Sequence, residues 1–143
     1  GFLHREAPGV CVSKLPRDVT FTYIQCTSDL DCTASPHGYC DGGYCIYGCI
    51  VDDECGPGRI CLCGYPVGHC ARATCAIDAD CPTGLLCASW TGGCEATLFD
   101  CQTPADQCGG NGDCSNSGDF VCALDSVTMA RICVLDIPKS CWF

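Results

Sequence analysis

Apolar residues along this 143-residue chain never settle into the three-and-four spacing of an amphipathic helix. The pattern leaves room for one short turn of helix near residues 84–88. Two segments alternate as strands do. Asp-Val-Thr-Phe-Thr-Tyr-Ile at 18–24 puts Val19, Phe21 and Tyr23 on one face. Ala-Arg-Ile-Cys-Val-Leu-Asp-Ile at 130–137 puts Ile132 and Val134 on one face. Between these segments the apolar runs are short and broken by turn residues, 17 glycines and 8 prolines in the whole chain. Two-residue hairpins are expected there, such as Tyr39 to Tyr44 turning through Asp41-Gly42-Gly43.

Cysteine changes the picture. The chain holds 20 cysteines, and Leu, Ile, Val and Phe together number only 29. Burial of so few large side chains barely offsets the entropy of ordering the chain. Disulfides solve this from the other side, by restricting the unfolded ensemble. Thiols in this number belong to an oxidising compartment, so the chain is expected to be secreted and extracellular. The even count allows every cysteine to pair. The expected fold class is small and disulfide-rich: tandem short cysteine-stapled repeats with little regular secondary structure, short β-hairpins, and strand-like segments at 18–24 and 130–137.

Aligning the cysteines exposes repeats. The first unit (26–48) holds Cys26, Cys32, Cys40 and Cys45; the second (49–74) holds Cys49, Cys55, Cys61 and Cys70. The third (75–100) holds Cys75, Cys81, Cys87 and Cys94; the fourth (101–122) holds Cys101, Cys108, Cys114 and Cys122. Cys11, Cys63, Cys133 and Cys141 fall outside the scheme. An N-terminal arm (1–25) and a C-terminal strand and loop (123–143) flank the array. Acids repeat with the cysteines: Asp29, Asp52 and Asp78 lie third after the first cysteine, and Asp31, Glu54 and Asp80 lie just before the second. The fourth unit departs, reading Gln-Thr-Pro-Ala-Asp-Gln with one extra residue. Such acids are expected to form Asx-turns that fix the loop. A calcium site is the sharper reading, but no further carbonyl or bidentate glutamate spacing accompanies the pairs. No metal and no cofactor is therefore expected.

The run Cys-x2-Asp-x-Asp-Cys followed by a glycine and a cysteine resembles the N-terminal cysteine-rich module of Dickkopf-type secreted proteins. It is also similar to tandem cysteine-rich repeats of large secreted bacterial and protist proteins. Cys-Gly-Gly-Asn-Gly-Asp-Cys at 108–114 resembles the middle of an EGF-like module, without the Cys-x-Cys that should follow. Together the resemblances cover about residues 26–122 and imply an extracellular module. Sequence alone leaves the connectivity open. The EGF-like resemblance implies crossed pairing, first cysteine to third and second to fourth. That would give Cys26–Cys40, Cys32–Cys45, Cys49–Cys61, Cys55–Cys70, Cys75–Cys87, Cys81–Cys94, Cys101–Cys114 and Cys108–Cys122. Cys133 and Cys141 would then close a local loop, and Cys11 would reach Cys63 unless either of these two bridges to another chain.

Catalysis finds little support. His4, His37 and His69 sit in a tail and in Gly/Pro-rich loops, and no Gly-x-Ser-x-Gly, His-Glu-x-x-His or phosphate loop occurs. The Cys-x-Cys at 61–63 reads as structural among so many other cysteines. The net charge is −10, so nucleic acid and anionic membranes are poor partners. Residues 26–122 carry a balance of −11, residues 1–25 of +1 and residues 123–143 of 0. The acidity thus belongs to the repeats, where it reads as a solvated surface. No window is long and apolar enough to span a bilayer, and no Asn-x-Ser/Thr acceptor occurs. Thr103 and Ser35, each beside a proline, leave O-glycosylation open. The start at Gly1 is expected to be a mature end left by signal-peptide removal, or an artificial end.

Strand-like ends with unpaired edges invite self-association. The first expectation is therefore a structural subunit of a secreted fibre or assembly. Its partner is itself, through Val19, Phe21, Tyr23, Ile132, Val134, Trp142 and Phe143. Other extracellular proteins or glycans are further candidates. The alternative is a soluble secreted binding module, either a receptor antagonist of Dickkopf type or a protease inhibitor. An inhibitor would present Leu15-Pro16-Arg17 or Gly58-Arg59-Ile60 as a rigid loop.

Overall fold

The computed structural model describes residues 3–20, 24–91, 97–114 and 120–135. The eighteen described cysteines form nine disulfides. Eight of these make four crossed pairs: Cys26–Cys40 with Cys32–Cys45, Cys49–Cys61 with Cys55–Cys70, Cys75–Cys87 with Cys81–Cys101, and Cys108–Cys122 with Cys114–Cys133. The ninth is Cys11–Cys63.

Three expected pairings are corrected. Cys81 joins Cys101 rather than Cys94, and Cys114 joins Cys133, so Cys101–Cys114 and Cys133–Cys141 do not form. Cys94 and Cys141 lie outside the described residues. The reason is strand register. Strands β1 (Gly38–Asp41) and β2 (Tyr44–Tyr47) set Cys40 opposite Cys45. Strands β5 (Cys87–Thr91) and β6 (Thr97–Cys101) set Cys87 opposite Cys101, and β7 (Phe120–Leu124) and β8 (Arg131–Leu135) set Cys122 opposite Cys133. In these three units the third and fourth cysteines are thus cross-strand neighbours in one hairpin. Cys101 therefore ends the third unit, and Cys108 opens the fourth.

Each unit is a short acidic loop followed by an antiparallel hairpin; β3 (Arg59–Leu62) and β4 (His69–Arg72) make the remaining one. The β1–β2 turn runs through Gly42 and Gly43 at φ of 55° and 88°. Such positive φ at both turn positions matches the right-handed twist of the flanking strands. The loops hold 3-10 turns at Asp29–Asp31, Asp52–Cys55, Asp78–Asp80 and Asn111–Asp113, which the apolar pattern did not announce. Near 84–88 no helix forms; Cys87 already belongs to β5. Of the segment 18–24, residues 18–20 and 24 form no strand, and Phe21 and Tyr23 lie outside the described residues. Backbone N–H groups on either side of it are held elsewhere, Arg17 by Asp29 and Gln25 by the Gly43 carbonyl. The segment 130–137 contains β8, which pairs within the chain with β7.

The chain divides into two compact units, Pro8–Ala71 and a second one combining the residues before Pro8 with those from Arg72 onward. In Pro8–Ala71 the core is largely sulfur. Cys26, Cys32 and Cys40 cluster with Cys45, and Cys11, Cys49 and Cys61 cluster with Ile50, Cys55 and Cys70. The N-terminal arm of this unit lies against the β3–β4 region, with the Cys11 N–H donating to the Ile50 carbonyl and the Lys14 N–H to the Pro66 carbonyl. Backbone packing is tight where Cys49 bridges to Gly68: a Cβ on Gly68 would sit 2.6 Å from the Cys49 carbonyl oxygen.

The second unit adds a conventional core of Phe99, Ala88, Trp90 and Ala130. A cation is buried in it. Arg131 is 1% exposed, and its Nη2 donates to the carbonyls of Ala88 (2.7 Å) and Asp100 (2.8 Å). Its backbone N–H donates to Asp106 Oδ1, and its carbonyl accepts from the Gln107 N–H. Burial lowers the Arg131 pKa, while the charges of Asp106 and Asp100 raise it. Asp100 in turn accepts from the Trp90 indole N–H (2.7 Å) and the Thr74 hydroxyl. The guanidinium therefore ties β8 to both strands of the β5–β6 hairpin. Replacing Arg131 by Met keeps much of the bulk and removes the donor that both carbonyls share. R131M should cost about 2 kcal/mol in denaturant unfolding with disulfides intact, the scale of a buried carbonyl left unpaired. An unchanged midpoint would refute the pinning role.

Candidate functional site

The repeated acids are the densest set of chemically active side chains, and the loop geometry decides what they do. The acid just before the second cysteine reaches back to two backbone N–H groups three and four residues earlier. Asp31 Oδ2 accepts from Thr27 (2.8 Å) and Ser28 (3.1 Å), and Glu54 Oε2 from Ile50 (2.7 Å) and Val51 (3.4 Å). Asp80 Oδ2 accepts from Ala76 (2.8 Å) and Ile77 (3.1 Å), and Asp113 Oδ2 from Gly109 (2.7 Å) and Gly110 (3.1 Å). These are the orphan donors at the start of a helical turn, and a carboxylate that caps them sets the turn. The 3-10 turns follow from it.

The acid third after the first cysteine reaches forward instead. Asp29 Oδ1 accepts the Cys40 N–H (2.9 Å), Asp52 Oδ1 the Cys61 N–H (2.9 Å) and Asp78 Oδ1 the Cys87 N–H (2.8 Å). In each case the donor is the third cysteine, nine to eleven residues on. This differs from the expected Asx-turn, whose donor lies two residues ahead. In the fourth loop Asn111 holds the corresponding position; its side chain lies outside the described residues.

The loop acids carry further partners. Asp29, 4% exposed, takes the Arg17 side chain through Nε (2.9 Å) and Nη2 (2.8 Å), and the Arg17 N–H as well (2.7 Å). Hydrogen bonding from Arg17 outweighs burial and lowers its pKa to about 2. Arg17 also donates to the Cys40 carbonyl and lies 5.3 Å from the centre of the Tyr39 ring. Asp78 Oδ2 meets His4 Nδ1 at 2.8 Å, and Glu54 Oε1 meets His37 Nε2 at 3.0 Å. Backbone donors, with His37 in the case of Glu54, lower the pKa of Asp31, Glu54 and Asp80. For Asp78 burial pulls upward, but the bonds from His4 and Cys87 leave it lowered.

The remaining candidates separate. Val19 is exposed and belongs to no strand. Ile132 and Val134 share β8, half-buried opposite Ala123 and Val121. Phe21, Tyr23, Trp142 and Phe143 lie outside the described residues. Of the two inhibitor-loop candidates, Leu15-Pro16-Arg17 has its cation held by Asp29, and Gly58-Arg59-Ile60 has Ile60 buried at 1% exposure. Among the described residues, the metal-ligand types that cluster closely are cysteine trios such as Cys26, Cys32 and Cys45. Their sulfurs are in disulfides and supply no thiolate. No described helix is long and apolar enough to cross a membrane.

No protein-family model matches the chain, and no solved structure matches it. Among curated proteins it is similar to Prohormone-3 of Apis mellifera, 30% identical over 88 residues. That alignment covers 53% of this chain and 28% of the honey bee protein, so the chain spans well under a third of its relative's length.

Carboxylates engaged in this way leave no open ligand set for calcium. Adding calcium or a chelator is expected to leave the melting temperature unchanged, and a shift of many degrees would contradict this. Acid is a different matter. Asp29 titrates lower in the folded than in the unfolded chain, so its contribution is complete above about pH 4. It is lost as pH falls towards about 2. D29N should lower stability at neutral pH by about 3 kcal/mol, because Arg17 loses its buried counter-charge. It should also flatten the acid limb of the pH–stability curve.

Proposed function

We propose that this chain is a secreted, non-catalytic binding module, a cysteine-stapled part of a longer extracellular precursor. Its disulfides require an oxidising compartment. The name of the honey bee relative, a prohormone, fits a secreted role. The observation that carries the reading is where side chains point. The loop carboxylates, with Arg17, His4 and His37, are engaged in holding loops. His4 and His37 are thereby occupied by Asp78 and Glu54.

The β1–β2 hairpin turns outward what is left. Tyr39 is opposite Ile46, and Asp41 opposite Tyr44, so these four share one face while Cys40 and Cys45 occupy the other. Tyr44 and Ile46 are 50% and 39% exposed. Rigid aromatic and aliphatic groups on a stapled hairpin are efficient contacts, since little entropy remains to be lost. A building block of a fibre is the second reading. It is favoured by the two-stranded sheets, which leave strand edges to be covered, those of β5 and β6 being met by residues 3–5 and 73–74.

Sedimentation and cell binding together separate the two. The binding-module reading predicts a monomer at high concentration that binds intact cells or matrix saturably. Y44S with I46S should weaken that binding at least about tenfold, the loss expected from a contact residue, with the disulfide map unchanged. Concentration-dependent growth into filaments would overturn it in favour of the building block.

A further inference from the structure

Cys63 is the one exposed cysteine among the described residues; all others are buried or half-buried. Its bridge to Cys11 is also the least local, with a sequence separation of 52, where the crossed pairs span 12 to 20. The other end is hidden, with Cys11 5% exposed. There its Sγ lies 3.8 Å from the Sγ of Cys61, which belongs to a different, buried disulfide, Cys49–Cys61. Closely approaching sulfurs also occur in the other units, as in Cys26, Cys32 and Cys45, but none of those groups has an exposed member.

We propose that Cys11–Cys63 is a modification site for small extracellular thiols, and that Cys11 relays its opening to Cys49–Cys61. Exchange proceeds by attack of a thiolate on an accessible disulfide sulfur. An external thiolate attacks Cys63 Sγ. A mixed disulfide forms on Cys63, the Cys11–Cys63 bond breaks, and the electron pair leaves on Cys11. That thiolate is generated in a buried, sulfur-lined site where charge is poorly solvated. Cys61 Sγ is its neighbour. Attack there forms Cys11–Cys61, breaks Cys49–Cys61 and leaves the thiolate on Cys49, which takes a proton from solvent. One external thiol is consumed and the count of protein disulfides falls by one. The arm around Cys11 stays tethered, now to β3 instead of to the β3–β4 loop.

The test uses the native full-length chain with reduced glutathione and no denaturant. Samples are quenched at intervals with excess alkylating agent in denaturant, so that buried thiols are labelled, and mapped as unreduced peptides. Glutathione should appear first on Cys63, at least about tenfold faster than any of the other eight described bridges opens. The alkyl label should settle on Cys49, accompanied by a Cys11–Cys61 peptide. First attack at another described bridge, or opening of several in parallel, would overturn the site. Label remaining on Cys11 without the Cys11–Cys61 peptide would overturn the relay. In C11S/C63S, the Cys49–Cys61 bridge should resist the same treatment; opening at the original rate would show that Cys11 is not its route.

Discussion

In three of the four units the third cysteine is held twice, by the sulfur of the first cysteine and by the carboxylate three residues after it. Cys26 takes the Cys40 sulfur while Asp29 takes the Cys40 N–H; Cys49 with Asp52 and Cys75 with Asp78 repeat the arrangement. The pair clamps the acidic loop flat against the outer edge of the first strand of the hairpin. Once that strand is fixed, cross-strand register brings the fourth cysteine opposite the third, within reach of the second. Each closure of a loop this short contributes about 3 kcal/mol by restricting the unfolded chain. A fold with so few large aliphatics depends on such closures.

The clamp also changes the meaning of the acidity. Asp29, Asp31, Asp52, Glu54, Asp78 and Asp80 look, as charge, like a solvated face. In the fold they are acceptors for backbone donors that a short loop could not otherwise satisfy. The covered amide is that of the third cysteine, so the same bond blunts a sheet edge that would otherwise be open to pairing. On the first hairpin the outward face carries Tyr44 and Ile46 beside a single acid, Asp41.

Much of this is legible from spacing alone. Cys-x5-Cys with an acid at its third and fifth inner positions marks the first three loops, and the Gly-Gly turn marks the first hairpin. The fourth loop was equally visible: Cys108-Gly-Gly-Asn-Gly-Asp-Cys114 keeps both the spacing and the capping acid, with Asn111 for Asp. The additional cysteine in the β5–β6 connection, Cys94, displaces a repeat of four cysteines by one and so masks this unit's true start at Cys108. Long-range features left no local trace. Nothing near Arg131 says that it reaches Ala88 and Asp100, since alternation in 130–137 specifies a strand and not what lies beneath it. Likewise alternation in 18–24 says nothing of the neighbouring Arg17, which is drawn to Asp29, and the described residues 18–20 and 24 form no strand.

The double hold on the third cysteine is tested most directly by a pH titration of the native protein followed by NMR. The amide proton of Cys40 and the carboxyl carbon of Asp29 would be observed together. The Asp29 carboxyl should titrate at about 2, and the Cys40 amide should shift with the same midpoint. An Asp29 that titrates near 4, the ordinary value for an exposed aspartate, with a Cys40 amide indifferent to it, would contradict the account.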